Sequence, residues 1–368
     1  MGFIGYRLIS PDSVSDSDRA TWAYNTEIVA SGLSVPWGID FLPNGDMLVT
    51  ERSGTLYLKK AGATASDLQA ISGVPHVVSR GQGGLLDVET HPKYSENGWV
   101  YLTYSKRDPD SRRNSTTAVV RGKLENNAFT NQEEIFVAEP YLRTTHHYGS
   151  RLQFDKEGFL FVTVGDRGFR DENPQSLKNH SGKVHRIHDD GRIPEDNPFV
   201  GTSGAKGSIY SYGHRNPQGM VIHPESGVIW EHEHGPRGGD ELNVIEPGKN
   251  YGWPVISYGI NYDGSTFTDL TAKDGMEQPA TYWVPSIAPS GTDFVTGGAY
   301  GNLEGALLVG SLKFQYVERV NINSAGKVTG KDRMLRGIGR VRDIKTGPDG
   351  FVYIAVEGPG RVVRLLPN

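Results

Sequence analysis

The clearest pattern along the chain is an apolar run, a turn that contains Gly, and a second apolar run. The segment WGIDFLPNGDMLVTERSGTLYLKK, which starts at Trp37, is typical. The first run alternates apolar and polar residues, as at Ile39 and Phe41, whereas the second run is continuously apolar. This predicts two antiparallel strands, the second buried on both faces. The pattern recurs in six copies, whose turn glycines are Gly45, Gly98, Gly158, Gly227, Gly305 and Gly350.

Six copies predict a closed ring of sheets. In a chain of 368 residues each copy has about 60 residues, more than a four-stranded propeller blade needs, so we expect long loops on one face. The N-terminal NTEIVASGL is a strand suited to close the ring against the C-terminal GRVVRLL. We therefore predict an all-β six-bladed β-propeller with four-stranded antiparallel blades over residues 26–368, after an N-terminal extension of residues 1–25. Two β-sandwiches are a weaker alternative, because no linker separates two halves.

Composition supports this fold class and excludes several functions. The 47 Gly and 21 Pro are scattered along the chain, which is typical of short strands joined by tight turns. The net charge of −5 provides no basic surplus for nucleic acid, and the absence of Cys excludes disulfides and thiolate chemistry. No apolar run approaches the ~18 residues of a membrane span. The first residues lack the pattern of a secretory signal, which leaves a cytoplasmic protein or a mature exported form.

Several cations occupy comparable places in the repeats. Arg340 and Arg342 alternate along a strand, so their side chains project to the same side and need an anion between them. Lys313 follows another strand, and Arg215 with Asn216 precedes a third. If the blade register is correct, these strand ends lie near the axis of the ring. The four cations then suit one small ligand with several carboxylates, although a solvated strand with salt bridges is an equal alternative for Arg340 and Arg342 alone.

The densest polar segment is HEHGPRGGDELNVI, which contains His232 and His234. Two such histidines can bind zinc or copper, but no third ligand is evident nearby. The turn at Gly235 and Pro236 frees backbone carbonyls, which suit calcium better, and Asp240 with Glu241 supplies further hard oxygens. For the histidines we favour packing or ligand contact over metal binding.

His146 and His147 form a second histidine pair. A hydrolytic triad is a poor interpretation, because the chain has no Gly-x-Ser-x-Gly elbow. An imidazole oriented by a carboxylate is a general base for an O–H proton, and Asp166 is a candidate partner through the tertiary fold.

Eight motifs in order resemble those of the soluble PQQ-dependent sugar dehydrogenases, especially the aldose sugar dehydrogenase branch. The motifs are VPWGIDFLPNGDMLVTER, RGQGGLLDVETHP, HHYGSRL, VGDRG, GHRNPQGM, HEHGPRGGDELN, GKNYGWP and RVRDI, and the resemblance runs from about Gly32 to the C-terminus. It implies a six-bladed β-propeller that oxidises aldoses at C1 to lactones, with pyrroloquinoline quinone (PQQ) held over calcium. It also implies a periplasmic or secreted protein, with an unknown electron acceptor, that is a monomer or homodimer.

The resemblance also implies residue roles. His147 is the implied general base, and Asp166 is expected to orient it and to favour its charged form. Gln82 is expected beside the substrate or the base, and Arg215 is expected to stabilise developing negative charge. The implied PQQ-binding residues are Arg215, Asn216, His234, Lys313, Arg340 and Arg342.

Calcium is implied at two places. The carbonyls of Gly235 and Pro236 are expected to bind the ion beside PQQ, and Glu241 with Tyr251 a structural ion. His146 has no assigned chemistry, and as a strand neighbour of His147 it is expected to face away and pack. The histidine at position 234 departs from the glucose-specific branch, which has an amide side chain there.

Two other functions compete with this interpretation. A calcium-dependent propeller lactonase explains the carboxylates and His147, but it leaves Lys313, Arg340 and Arg342 without a role. A non-catalytic propeller that displays a binding face explains the aromatic residues, which could equally form a sugar-binding wall. The aromatic residues in question are Tyr251, Trp253, Tyr282 and Trp283.

Overall fold

The computed structural model describes residues 24–367 and confirms the predicted six-bladed β-propeller. The structure contains six four-stranded sheets, and every strand pairs antiparallel with its neighbour. Blade 1 consists, from the innermost strand outward, of β2 (Pro36–Phe41), β3 (Met47–Glu51), β4 (Thr55–Lys59) and β5 (Gln69–Ile71). Blade 2 consists of β6 (Leu85–Thr90), β7 (Trp99–Arg107), β8 (Ser115–Glu125) and β9 (Ala128–Val137). Blade 3 consists of β10 (Leu152–Phe154), β11 (Phe159–Val164), β12 (Lys183–His188) and β13 (Ile209–Tyr212).

Blades 4 to 6 repeat the arrangement, and blade 6 takes its outermost strand from the N-terminus. Their strands are β14 (Pro217–Ile222), β15 (Ile229–Glu233), β16 (Asp240–Ile245), β17 (Thr281–Trp283); β18 (Pro289–Phe294), β19 (Leu307–Ser311), β20 (Tyr316–Ile322), β21 (Val328–Met334); and β22 (Arg340–Thr346), β23 (Val352–Glu357), β24 (Gly360–Leu365), β1 (Thr26–Leu33). The described helices are short, α1 (Tyr94–Asn97) and a 3-10 turn at Gly301–Leu303. None of the helices within residues 24–367 could span a bilayer.

Each predicted turn glycine lies between the first and second strands of its blade, so the repeat was identified correctly. The predicted ring closure is also confirmed, because β1 pairs with β24 from Thr26 opposite Leu365 to Leu33 opposite Gly360. The predicted extension of residues 1–25 lies outside the described residues except for its last two. Of these, Tyr24 donates a hydrogen bond to Asn302 at 3.0 Å and Asn25 accepts one from Leu366 at 2.9 Å.

The hydrophobic core is divided among the interfaces between blades. One cluster joins β1, β23 and β24 of blade 6 to β2 and β3 of blade 1, and corresponding clusters join the other neighbouring blades. The first strands contact one another around the axis. Their polar positions, such as Asp40 and Asp87, are therefore buried along the axis instead of facing solvent. This explains why the first strand of each repeat alternates although both of its faces are covered.

Candidate active site

The predicted site residues gather at one end of the ring. In an antiparallel blade the second strand ends where the first begins, so loops before first strands and turns after second strands lie together. His147 precedes β10, Arg215 precedes β14, and Arg340 begins β22. Asp166, Lys313 and His234 follow the second strands β11, β19 and β15. The structure thus explains how residues far apart in sequence reach one surface.

His147 and Asp166 form a hydrogen-bonded dyad. The Nδ1 of His147 lies 2.7 Å from Oδ1 of Asp166, which also accepts the Gly168 amide at 2.6 Å. The second oxygen, Oδ2, accepts the indole N–H of Trp253 at 2.9 Å. Because Nδ1 faces a carboxylate, it carries the proton and Nε2 keeps its lone pair. The arrangement can therefore accept a proton at Nε2.

The backbone of His147 is also held firmly. Its φ is +55°, in the left-handed region, and its amide donates to Oε1 of Gln82 at 2.7 Å. Arg167, which is fully buried, donates to the carbonyls of Thr144 at 2.8 Å and His146 at 3.0 Å. Asp166 and Arg167, adjacent in sequence, therefore fix the ring and the backbone of the His147 loop respectively.

The electrostatics of the dyad set the protonation state of His147. Burial and the positive charge of Arg215 lower the pKa of His147 to about 4, against the opposing effect of the hydrogen bond that His147 donates to Asp166. Burial raises the pKa of Asp166, but the hydrogen bond with His147, the charge of Arg215 and the Gly168 amide outweigh burial, so the pKa is lowered overall. Asp166 therefore favours the charged form of His147, as expected, but burial and Arg215 outweigh its effect. At neutral pH the imidazole is an uncharged base beside a carboxylate.

The strand expected for His146 is absent, because residues 143–151 form a loop. The ring of His146 lies edge-to-face on that of His147, with centroids 4.7 Å apart. It also covers Gly168, where a Cβ would lie 2.3 Å from His146 Nε2. His146 thus packs, as predicted, but against His147 and not on the opposite face.

Arg215 lies between the dyad and the turn after β15. Its Nη1 donates to the carbonyls of His234 and Gly235, each at 2.9 Å. The neighbouring Asn216 accepts the Gly149 amide at 3.2 Å, which ties it to the His147 loop. Two backbone carbonyls therefore already converge on a positive charge. The prediction named the carbonyls of Gly235 and Pro236, whereas Arg215 contacts those of His234 and Gly235.

His232 and His234 do not converge on a common point. His234 Nε2 lies 2.7 Å from the Pro289 carbonyl, and His232 Nε2 lies 3.4 Å from the Gly291 carbonyl. The His232 ring is buried and the His234 ring is partly buried, and both contact the backbone of the neighbouring blade. This agrees with packing as the role of the pair.

The cations near β22 share a carboxylate that the sequence did not reveal. Arg342 donates to Oε1 of Glu357 through Nε at 2.8 Å and also through Nη2, and Arg340 donates to Oε2 at 3.2 Å. Arg340 also donates to the Leu312 carbonyl at 3.2 Å, next to the exposed Lys313. The two arginines do project to the same side, as predicted. One carboxylate against three cations leaves net positive charge for an anionic ligand.

Buried carboxylates form another cluster inside blade 4. Ligand atoms of His214, Glu231 and Glu233 lie within 4.8 Å of one another, and Glu241 is opposite Glu233 on β16. Burial, followed by the charge of Glu233, raises the pKa of Glu231 and of Glu241 well above the ordinary value. Within the described chain, Oε1 of Glu231 has no hydrogen-bond partner.

Tyr251 lies against this cluster through its ring, which stacks on His214 with centroids 4.7 Å apart. Its hydroxyl donates to the Val244 carbonyl at 2.5 Å. The phenol hydroxyl is thus hydrogen-bonded to the backbone of its own blade. Sequence reasoning found Glu241 and Tyr251 but missed His214, Glu231 and Glu233. The alternation of Glu231 and Glu233 along β15 was the available signal.

The proposed aromatic wall is largely wrong. Tyr251, Trp253 and Trp283 are only 4%, 7% and 5% exposed, so none presents a ring face to a ligand. Tyr282 is exposed and stacks on Tyr258, with centroids 3.8 Å apart. Of these residues Trp253 contacts the dyad through its indole N–H, whereas Tyr251 and Trp283 pack in hydrophobic clusters between blades.

Comparison with known proteins identifies relatives along nearly the whole chain. The model of the glucose/sorbosone dehydrogenase family matches residues 33–364. Aldose sugar dehydrogenase YliI of Escherichia coli (strain K12) is 41% identical over 360 residues, which cover 95% of this chain and 95% of that protein.

Two solved structures of aldose sugar dehydrogenases are also similar to this chain. The apo form of the soluble aldose sugar dehydrogenase from Escherichia coli has a TM-score of 0.89 at 40% identity, covering 94% of this chain and 100% of the other. The PQQ-bound aldose sugar dehydrogenase from Streptomyces coelicolor has a TM-score of 0.76 at 26% identity, covering 93% of this chain and 98% of the other.

Proposed function

The chain belongs to the glucose/sorbosone dehydrogenase family, and we propose that it oxidises aldose sugars at C1 to lactones, with PQQ as hydride acceptor and His147 as general base. The enzyme class, an aldose sugar dehydrogenase, follows from the family and its named relatives. The observation that carries the finer proposal is the carboxylate-held imidazole beside Arg215, at the same end of the ring as a positively charged cluster.

His147 performs the proton transfer in this proposal. Oxidation at C1 removes a hydride from carbon and a proton from the hydroxyl, leaving a carbonyl. His147 Nε2 takes the hydroxyl proton, because Nδ1 is committed to Asp166. The resulting imidazolium is stabilised by the carboxylate and then passes its proton to solvent, to which 13% of the side chain is exposed. The lowered pKa of the free imidazole keeps the base unprotonated before reaction.

Arg215 stabilises negative charge that develops beside the dyad. Its guanidinium is held by two carbonyls and needs little reorganisation as charge appears. Preorganised donors of this kind contribute about 3 kcal/mol of transition-state stabilisation. Gln82 fixes the backbone of the base, so its contribution is orientation.

PQQ is a tricarboxylate, and the residues near β22 suit such a group. Arg340, Arg342 and Lys313 supply three cations, of which Glu357 neutralises one. Asn216 accepts the Gly149 amide and the His234 carbonyl accepts from Arg215, and we propose that both residues flank the cofactor on the side of Arg215. This charge surplus supports cofactor binding over a neutral lactone substrate, which would need no cationic cluster.

Calcium fits two sets of hard oxygens. At the turn after β15, the Gly235 carbonyl is one of two that accept from Arg215, and an ion held by the carbonyls of Gly235 and Pro236 would supply Lewis-acid polarisation. In blade 4, Glu231 and Glu233 are buried and Glu241 lies opposite Glu233. Within the described residues Oε1 of Glu231 has no hydrogen-bond partner, which favours a bound cation near Glu241 and Tyr251. As corollaries we propose a periplasmic or secreted location and small aldose sugars as substrates.

The experiment is dye-linked oxidation of glucose and maltose by metal-stripped protein, with PQQ and calcium added separately and together. We expect activity only with both additions. No activity, together with no change in quinone absorbance, would overturn the proposal and favour a lactonase or a binding propeller.

His147→Ala tests the assigned base in the same assay. We expect turnover to fall at least about 1,000-fold while PQQ binding is retained, because His147 does not belong to the cationic cluster. Asp166→Asn is the companion variant, since it keeps the shape and removes the orienting charge. Loss of PQQ binding in His147→Ala would contradict the assigned role.

A further inference from the structure

Trp253 lies against the dyad although it comes from a different blade. After β16 the chain runs along the outer edge of blade 3, where Asn250 bridges Tyr212, and this brings Trp253 to the active end of the ring. Its indole Nε1–H donates to Asp166 Oδ2 at 2.9 Å. With Trp253 only 7% exposed, the indole faces Asp166 and not a bound sugar.

The indole is itself fixed on several sides. The Trp253 amide donates to the Gly213 carbonyl at 2.9 Å, and its carbonyl accepts Nε2 of Gln175 at 2.8 Å. Its ring packs edge-to-face on Phe267, with centroids 5.2 Å apart. The N–H therefore points in one direction and can define the plane of the carboxylate that accepts it.

The face of the same indole contacts Arg215. The guanidinium carbon lies 5.3 Å from the ring centroid, within the range of a cation–π contact. One side chain thus touches both the carboxylate that orients the base and the cation that stabilises developing charge.

We propose that Trp253 is a positioning residue that fixes the carboxylate plane of Asp166, and through it the ring of His147, while its face holds Arg215. This role rests on the function proposed above. The last torsion of an Asp side chain is broad, so a carboxylate held through only one oxygen can rotate. A donor on the second oxygen removes that freedom, and indole suits the task because it can only donate.

Other charged or titratable groups also face the dyad. These groups are Arg215, His146, Lys183 and Arg167. All of them are retained when the indole N–H is removed. A change in the dyad of a Trp253 variant therefore reports the missing hydrogen bond.

Trp253→Phe removes the N–H and keeps an aromatic ring. In full-length protein reconstituted with PQQ and calcium, we expect kcat to fall between about 10- and 100-fold, with KM and PQQ affinity changed less than about twofold. In the protein without added cofactor, we expect the downfield proton resonance of His147 Nδ1–H to shift or broaden. His147→Ala assigns that resonance.

Trp283→Phe is the matched control. The Trp283 indole donates to Glu318 Oε2 at 3.2 Å and is 5% exposed, so this variant also loses a buried indole–carboxylate hydrogen bond. We expect it to leave both kcat and the resonance unchanged. An unchanged resonance in Trp253→Phe, or equal loss of kcat in the two variants, would overturn the positioning role. If the parent protein oxidises no sugar the proposed function fails, and the resonance still decides whether Trp253 positions the dyad.

Discussion

At the scale of single residues, the site combines tightly paired charges with a surplus of positive charge. His147 is uncharged at neutral pH because burial and Arg215 lower its pKa to about 4. Near β22, Glu357 neutralises part of the charge of Arg340 and Arg342. A carboxylate ligand that binds there must compete with Glu357 for the same guanidinium donors. Loss of Arg342 should therefore weaken cofactor binding, and loss of the Glu357 charge should strengthen it.

Arg342→Ala and Glu357→Gln test this balance. We expect Arg342→Ala to weaken PQQ binding between about 10- and 100-fold, the range of a lost hydrogen bond to a charged group. Glu357→Gln frees guanidinium donors and should strengthen binding. Equilibrium titration followed by quinone absorbance measures both affinities. The control is Lys327→Ala, which removes an exposed cation from the turn between β20 and β21, at the opposite end of the ring. Wild-type affinity in Arg342→Ala would place the cofactor elsewhere.

At the scale of strands, the sequence predicted the repeat but not the buried polar surface along the axis of the ring. The Gly turns and buried second strands were visible because they depend on local pattern. The alternation of the first strands was visible too, but its polar side was not identifiable as a buried surface. The contact of Trp253 with Asp166 and the pairing of Glu357 with the two arginines were missed because neither follows from a local pattern. Trp253 reaches Asp166 only through the long connection after β16, and Glu357 lies opposite Arg340 across a β-pair.

Arg151 links three first strands across the axis. Its Nη1 contacts Asp87 on β6 at 2.8 Å and Asp343 on β22 at 2.9 Å, and its Nε donates to the Gln218 carbonyl on β14 at 3.1 Å. The same carboxylates bind the next blades, since Asp343 accepts the Ile39 amide at 2.9 Å. Burial raises the pKa of Asp87 to about 6 even with Arg151 present. Arg151 thus offsets charges that would otherwise oppose ring closure.

Removing Arg151 should leave the buried carboxylates of Asp87 and Asp343 without their cation and destabilise the ring. We expect Arg151→Met to lower the free energy of unfolding by about 3 to 5 kcal/mol, because two buried carboxylates lose their cation. The folded-state pKa of Asp87 lies above its unfolded value, so its ionisation costs stability as pH rises through that interval. The deficit of the variant should therefore be larger at pH 8 than at pH 5.

Urea unfolding at the two pH values measures this deficit. Arg192→Gln is the control, since Arg192 pairs with Asp190 on the surface with 71% of its side chain exposed. An equal deficit at both pH values would show that packing, and not charge, accounts for the loss.

At the scale of the whole molecule, the site exists only in the closed ring. Blade 3 contributes the dyad, blade 4 the turn after β15, and blades 5 and 6 the cations. Closure depends on β1, which supplies the fourth strand of blade 6 and packs Ala30 and Leu33 against blade 1. Loss of β1 should therefore impair folding and cofactor binding, whereas loss of the residues before it should not.

Two truncations separate these contributions. A chain starting at Tyr24 keeps the contacts of Tyr24 with Asn302 and of Asn25 with Leu366, and it should match the parent in urea midpoint and reconstituted activity. A chain starting at Ser34 lacks β1, which leaves β24 as an unpaired edge and opens the interface between blades 6 and 1. We expect this chain to aggregate or to unfold at lower urea, with PQQ binding lost. Equal midpoints for the two chains would mean that pairing of β1 with β24 does not stabilise the ring, and reduced activity of the longer chain would assign residues 1–23 a role in the propeller.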